Sequence, residues 1–127
     1  MAGLLLDAGA LIAAERGRRE VERALGRALR LGHDLVTAAP VLAQVWRDGA
    51  KQVRLTRALR AIDVVALDHR QARACGELLG ASGTSDVPNA SLAVLAAPGD
   101  VLLTTDPRDL ERLIAARGLP GIRVAAL

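Results

Sequence analysis

Two aspartates in this sequence directly follow short apolar runs. Asp7 comes after residues 4–6, and Asp106 comes after residues 101–105. Each run has the length and the apolar character of a strand that is buried on both faces. Ligand sites in open α/β sheets lie beyond the carboxyl ends of the strands, so these two carboxylates are candidates for chemistry.

Further oxygen-bearing side chains stand near predicted helix starts. Oxygen ligands of this kind suit Mg²⁺ or Mn²⁺, which bind few protein groups, keep several waters and bridge phosphate oxygens. The predicted reaction is therefore phosphodiester hydrolysis. The candidate catalytic residues are Asp7, Asp86, Asn89 and Asp106, and the candidate metal ligands are the same four together with Asp109.

A structural alternative exists for each of these aspartates taken alone. Asp7 and Asp86 could cap the helices that follow them, and Asp106, which precedes Pro107, could form an Asx turn. Three aspartates at predicted sheet and helix ends nevertheless favour a shared site over three separate caps.

Strands and helices alternate in the predicted order of elements. Such alternation predicts an α/β fold in which a central parallel sheet is covered on both faces, as one domain over residues 1–127. The predicted strands are residues 4–6, 34–37, 62–67, 101–105 and 121–126. The predicted helices are residues 18–31, 39–47, 52–61, 69–80, 88–95 and 107–116. Asp48 and Gly49 separate the second helix from the third, and Asp68 is placed to cap the fourth.

The composition excludes several classes of protein. The chain contains one tryptophan, Trp46, and no phenylalanine or tyrosine. It therefore cannot stack successive RNA bases on aromatic platforms. Trp46 itself lies in an apolar run that favours packing in the core. Cys75 is the only cysteine, which excludes an internal disulfide and a cluster of thiolate metal ligands. We expect Cys75 to be a small buried residue.

Features of exported and membrane proteins are missing from the predicted pattern. The N-terminal residues lack the basic opening and the longer apolar run of a secretory signal, and no apolar stretch has the length of a membrane span. The expected protein is soluble and cytoplasmic.

Arginine dominates the positive charge, because Lys51 is the only lysine and the formal net charge is +3. The planar guanidinium can bind a phosphate or a carboxylate through two hydrogen bonds, so both nucleic acid and an acidic protein suit this chain. Two groups of basic residues fall at helical spacing. The first is a stripe that we expect to be a solvated helix face: Arg19, Arg23, Arg27 and Arg30. The second would share one face only if its helix continued through Gly49: Arg47, Lys51 and Arg54.

Four segments, in order along nearly the whole chain, resemble the PIN domains, and within them the VapC-like toxins of bacterial toxin–antitoxin pairs. They are residues 5–13 (LLDAGALIA), 41–47 (VLAQVWR), 85–93 (SDVPNASLA) and 103–110 (LTTDPRDL). Each motif is weak alone, but four in register make the resemblance fairly specific. In this resemblance Asp7 matches the first aspartate of the family, Asp106 the last, and Asp109 an acidic neighbour that is often present.

The resemblance implies a three-layer α/β/α fold and a Mg²⁺- or Mn²⁺-dependent RNA endonuclease, the toxin of a type II toxin–antitoxin pair. It also implies an RNA substrate, an acidic antitoxin whose segment lies across the site, and a homodimer. The second basic group, Arg47, Lys51 and Arg54, is then expected to contact RNA or the antitoxin.

Two positions depart from the family pattern, because both carry amides. Gln44 stands where the family usually has glutamate, and Asn89 stands where it usually has its third aspartate. An amide oxygen can bind a hard cation but brings no charge, so we expect weakened metal binding and reduced activity. Asp86, one helical turn before Asn89, can supply some of the missing charge. Gln44, Ser85 and Thr105 are candidates for the layer of side chains around the metal ligands.

Other folds with acids at strand ends fit poorly. A receiver domain has paired acids after its first strand, and a haloacid-type phosphatase has a second aspartate at the position of Gly9. Residues 7–12 also lack the glycine fingerprint of a dinucleotide site. The remaining alternative is a non-catalytic PIN-like protein that binds a partner or RNA, and Gln44 and Asn89 are the residues that favour it.

Overall fold

The centre of the protein is a five-stranded sheet in which all paired strands run parallel. The computed structural model describes residues 2–127. The strands are β1 (Gly3–Leu6), β2 (Asp34–Ala38), β3 (Asp63–Val65), β4 (Val101–Thr104) and β5 (Arg123–Ala126). The helices are α1 (Ala8–Glu15), α2 (Arg19–Arg30), α3 (Ala39–Val45), α4 (Val53–Leu59), α5 (His69–Ser82), α6 (Val87–Leu95) and α7 (Pro107–Arg117).

The order of the strands across the sheet, β3-β2-β1-β4-β5, divides the helices between its two faces. The chain moves from β1 toward one edge and from β4 toward the other, so right-handed crossovers place α1 and α2 on the face opposite α7. Helices α5, α6 and α7 pack together, and α1 packs against α2, α3 and α4. The predicted three-layer α/β/α architecture with a parallel central sheet is confirmed.

Strands β1 and β4 lie in the middle of the sheet, where both faces are covered. Their leucines are almost completely buried, which explains why each strand is a continuous apolar run and does not alternate with polar residues. The register pairs Leu6 with Leu103, and the next backbone hydrogen bond runs from the Asp7 N–H to the Leu103 carbonyl at 3.2 Å. Asp7 therefore lies beside Thr104 at the carboxyl edge of the sheet.

The edge strand β3 is shorter than the predicted strand over residues 62–67. It pairs only with β2, and the last pair in the register is Ala38 with Val65. The chain turns into α3 directly after Ala38, so the residues after Val65 have no partner to continue the ladder.

Helix α1 is the helix that Asp7 could cap, but the predicted elements give no bounds for it. Its residues are nearly all apolar, and Ala10, Leu11, Ala13 and Ala14 are buried. A helix that is covered on most sides shows no amphipathic stripe, so the period that identifies α2 is missing here.

The predicted helix over residues 39–47 ends at Val45, and the Gln52 side chain holds the break between α3 and α4. Its Oε1 accepts hydrogen bonds from the backbone N–H groups of Arg47 (2.8 Å) and Asp48 (3.0 Å), and its Nε2 donates to the Val45 carbonyl (3.0 Å). Trp46 is consequently outside the helix and 37% exposed, which makes the expectation of a core tryptophan wrong. Cys75 is buried, as predicted.

Candidate metal site

Asp7 is the most deeply buried carboxylate at this edge of the sheet, with only 6% of its surface exposed. Its backbone is extended, and it caps α1 by accepting a hydrogen bond from the Ala10 N–H at 2.8 Å. Burial raises the pKa of Asp7 above the usual value of 3.8, hydrogen bonds from Thr104 and Ala10 oppose that rise, and the charges of Asp106 and Asp86 add to it. The three aspartates therefore act on one another electrostatically.

The hydroxyl of Thr104 connects two of these aspartates. It donates to Oδ2 of Asp7 and accepts from the backbone N–H of Asp106 at 2.9 Å. The Asp106 carbonyl, 3.0 Å away, is an alternative acceptor for the same proton. Thr104 is fully buried, so these contacts fix the Asp7 carboxylate against the connection between β4 and α7.

Asp106 presents its carboxylate to solvent. It caps α7 only weakly, because its Oδ1 lies 3.4 Å from the Arg108 N–H, near the limit for a hydrogen bond. Asp109 is half-buried in the first turn of the same helix. The start of α7 thus carries two acidic side chains, and Asp106 is the one whose charge acts on Asp7.

Asp86 caps the third helix that begins near this edge. Its Oδ1 accepts from the Asn89 N–H at 2.9 Å, and both residues are half-buried. Asn89 lies in the first turn of α6, where the backbone dipole favours an anion over a neutral amide.

Each aspartate that could have been a cap does accept a capping hydrogen bond. A carboxylate has two oxygens with about four lone-pair sites, and the capping bond uses one of them. The capping role and a ligand role are therefore compatible at Asp7, Asp86 and Asp106.

A divalent cation fits the chemistry of these donors but is not fully enclosed by them. The donors are hard oxygens, and none of the three aspartates forms an ion pair with a lysine or arginine in residues 2–127. Over the same range, no group of three or more histidine, cysteine, aspartate or glutamate side chains is arranged to hold a metal ion by itself. Water, an amide oxygen or a substrate phosphate would have to complete the coordination.

The side chains predicted to surround the ligands lie at the surface. Ser85 and Thr105 are exposed, and Gln44 lies on the exposed side of α3, where it lines a separate groove. Thr105 contributes to packing, because a Cβ built on Gly9 would come within 2.0 Å of its hydroxyl oxygen. The first turn of α1 can approach the β4–α7 connection this closely only because residue 9 is glycine.

Thr104, which is not among the predicted site residues, supports the Asp7 carboxylate. The signal was present in the sequence, since Thr104 stands two residues before Asp106 at the end of a buried strand. The register of β1 with β4, which sequence does not reveal, is what places its hydroxyl beside Asp7.

The second basic group lies in one groove even though its helix is interrupted. Arg47, Lys51 and Arg54 line a groove of about 770 Å³ together with Gln44 and Arg16. These three side chains were expected to share a face only if one helix continued through Gly49. The helix ends at Val45, and the turn held by Gln52 brings the three side chains to one surface instead. The arginine stripe of α2 is exposed.

Comparison with known proteins gives a structural match and no sequence match. No family model matches the chain, and no curated protein does. Among solved structures, it is similar to a chain of the crystal structure of VapBC2 from Rickettsia felis bound to a DNA fragment from their promoter. The TM-score is 0.72 at 13% identity, over 100% of this chain and 99% of the other. The chain thus has a VapC-like PIN fold, as the resemblance implied, and at this identity the similarity concerns the fold alone.

Among residues 2–127, no helix is both long enough and apolar enough to cross a membrane.

Proposed function

We propose that this chain is a Mg²⁺- or Mn²⁺-dependent RNA endonuclease and the toxin of a type II toxin–antitoxin pair. The observation that carries the proposal is the buried Asp7 carboxylate, fixed by Thr104 and close enough to Asp86 and Asp106 for their charges to raise its pKa. An accumulation of negative charge without a basic partner destabilises the empty site, and a bound cation would relieve it.

Asp7 and Asp106 are the principal proposed ligands, with Asp86, Asn89 and Asp109 completing the set. A bound Mg²⁺ or Mn²⁺ would supply an activated water and would offset the charge that develops on the phosphate. Thr104 holds the Asp7 carboxylate in one orientation. The helix starts at Asp7, Asp86 and Asp106 direct their positive dipole ends toward the same edge, which favours the approach of an anionic substrate.

The proposed partners follow from the resemblance and from the structural match. The similar structure contains VapBC2, and we extend the partnership to this chain as an acidic antitoxin that covers the site. A homodimer and a cytoplasmic location complete the proposal.

A non-catalytic PIN-like protein is the second candidate, and specific observations favour it. Asn89 and Gln44 are amides at usually acidic positions, and the acidic side chains of residues 2–127 do not hold an ion by themselves. Such a protein would keep the fold to bind RNA or a partner.

Thermal unfolding in the presence of Mn²⁺ separates the two candidates. A ligand that binds only the folded state raises the melting temperature with its concentration. We expect this rise for the parent chain and its loss in Asp7→Asn, together with cleavage of single-stranded RNA by the parent alone. A melting temperature that is independent of Mn²⁺, with no cleavage, would leave the non-catalytic candidate.

A further inference from the structure

We infer that a pocket between α2 and the sheet, at the edge opposite Asp7, binds the anion of a medium-chain fatty acid. Gly3, Val101 and Arg123, which begin the strands β1, β4 and β5, all line this amino-edge pocket. Its volume of about 560 Å³ lies within the range of pockets that bind small molecules. The inference is independent of the proposed function, because the candidate metal ligands lie at the other edge of the sheet.

The floor of the amino-edge pocket is one face of three neighbouring strands. The register pairs Leu4 with Val101 and Val101 with Arg123, and it pairs Leu103 with Ala125. Paired residues in adjacent strands project from the same face of a sheet, so these side chains share the face that α2 covers. Leu4 and Leu103 are buried, whereas Val101 and Ala125 are only half-buried. The apolar floor is therefore least covered toward β5.

Helix α2 forms one wall of the pocket, and it is the only helix within residues 2–127 that lines it. Ala24, Arg27, Ala28 and Leu31 have the spacing of a single helix face. The two alanines are too small to fill the space between the helix and the floor. Leu31, just after the helix, remains 59% exposed, and a bound apolar ligand would cover part of its surface.

Every ionisable side chain in the lining is basic: Arg27, His33 and Arg123. Both arginines are exposed. The only ion pair within residues 2–127 joins Arg18 to Glu20, outside the pocket. Arg27 and Arg123 are therefore available to an anionic ligand.

Two aspartates lie near the pocket without lining it. Asp34 is exposed at the start of β2. Asp100 is turned toward the backbone, since its Oδ1 accepts from the Gly3 N–H at 2.8 Å and its Oδ2 from the Ala97 N–H at 2.9 Å. Within residues 2–127 neither aspartate pairs with Arg123. The rim of the pocket thus carries an excess of positive charge.

A fatty-acid anion matches this lining in both of its parts. The apolar floor and wall suit an aliphatic chain, and the planar guanidinium groups of Arg27 and Arg123 suit a carboxylate, which arginine binds through two hydrogen bonds. A nucleotide matches less well. Apart from the His33 imidazole, the lining has no aromatic ring and no side chain that accepts a hydrogen bond from a base or a sugar hydroxyl.

The test is a ¹⁵N–¹H NMR titration of the intact chain with sodium octanoate, below the concentration at which it forms micelles. We expect saturable shifts of the Gly3, Gly99 and Ala125 amides. 1-Octanol, which keeps the chain but lacks the charge, should bind about tenfold more weakly. Butyrate, which keeps the charge, should bind more weakly by about threefold for each methylene removed.

Three variants separate the charge of the pocket from its shape. Arg27→Gln/Arg123→Gln should lose about tenfold in octanoate affinity and little in octanol affinity. Arg70→Gln/Arg73→Gln removes the same charge from the exposed side of α5 and should bind octanoate like the parent. Ala24→Leu, which fills the pocket and keeps its charge, should weaken octanoate and octanol alike. Circular dichroism and urea unfolding verify that each variant folds.

Several results would overturn the inference. Equal losses in the two arginine variants would show only a general attraction between anions and a basic protein. Octanol binding as tight as octanoate binding, or shifts that bypass the three named amides, would remove the proposed carboxylate contact or its location. Absence of octanoate binding, with a dimer of the parent chain that dissociates in Ala24→Leu during analytical ultracentrifugation, would make the pocket an interface between copies of the chain.

Discussion

Two strand ends and two helix positions, all matched to acidic positions of the family by the resemblance, carry different kinds of side chain. Asp7 follows β1, and Asp106 comes just after β4; both are carboxylates, and they are joined through the buried Thr104 hydroxyl. Gln44 and Asn89, which lie within α3 and α6, are amides. The two strand ends thus carry carboxylates, these two helix positions carry amides beside the carboxylates of Asp86 and Asp109, and single substitutions at the amides test whether they can add charge to the site.

The largest expected effect is that of Asp7→Asn, which should abolish Mn²⁺ binding and any RNA cleavage while the fold remains intact. Asparagine caps helices as well as aspartate does, so α1 keeps its start. Isothermal titration with Mn²⁺ checks the binding, and urea unfolding checks the fold. A variant that melts far lower with unchanged Mn²⁺ affinity would make Asp7 a structural cap only.

In metal-free buffer, the difference in stability between Asp7→Asn and the parent should depend on pH. Burial raises the pKa of Asp7 in the folded state, so its stabilising contribution is fully present below the unfolded value and is lost as pH rises through the folded value. Asp7→Asn should therefore be more stable than the parent at neutral pH, and the two should converge toward pH 4. Parallel stability curves across this range would contradict the raised pKa.

Thr104→Val tests the link between the two strand ends. It removes the hydrogen bond that lowers the pKa of Asp7 and leaves the Asp106 N–H without its acceptor, at a cost of about 1–3 kcal/mol in unfolding free energy. Loss of a supporting partner typically weakens metal binding by about 10- to 100-fold. Thr104→Ser, which keeps the hydroxyl, should retain most of the Mn²⁺ affinity. Equal affinities in the valine and serine variants would show that the hydroxyl does not position Asp7.

Asn89→Asp tests whether a helix can recover charge for the site. The position lies in the first turn of α6, where the dipole favours an anion. We expect Mn²⁺ affinity to rise by about tenfold, or roughly 1.4 kcal/mol, with a parallel increase in cleavage of single-stranded or loop RNA. Titration calorimetry beside a cleavage assay measures both. Unchanged affinity, with no cleavage by either protein, would favour the non-catalytic candidate.

Gln44→Glu should have the smallest effect. Residue 44 is exposed and lines the basic groove, so solvent screens most of an added charge. We expect a gain in Mn²⁺ affinity well below that of Asn89→Asp. A gain as large as that of Asn89→Asp would place Gln44 at the metal and would remove the distinction between the two helices.

The sequence predicted the strand ends well because local patterns determine them. Apolar runs that end in Asp7 and Asp106, and the helix start at Asp86, are each visible within a few residues. The bounds of helix α1 could not be predicted, because burial on most sides removes the amphipathic period. The role of Thr104 depends on the strand register, which is a tertiary feature that no local pattern contains.

Trp46 gives this chain an unusually simple optical spectrum. The sequence contains no tyrosine or phenylalanine, so near-ultraviolet emission comes from one indole. That ring lies over Gly49, where a Cβ would come within 2.9 Å of it, and it belongs to the α3–α4 connection that carries Arg47 and Lys51. Emission from the unmodified protein therefore reports on a single connection beside the groove, without a label and without a background from the rest of the fold.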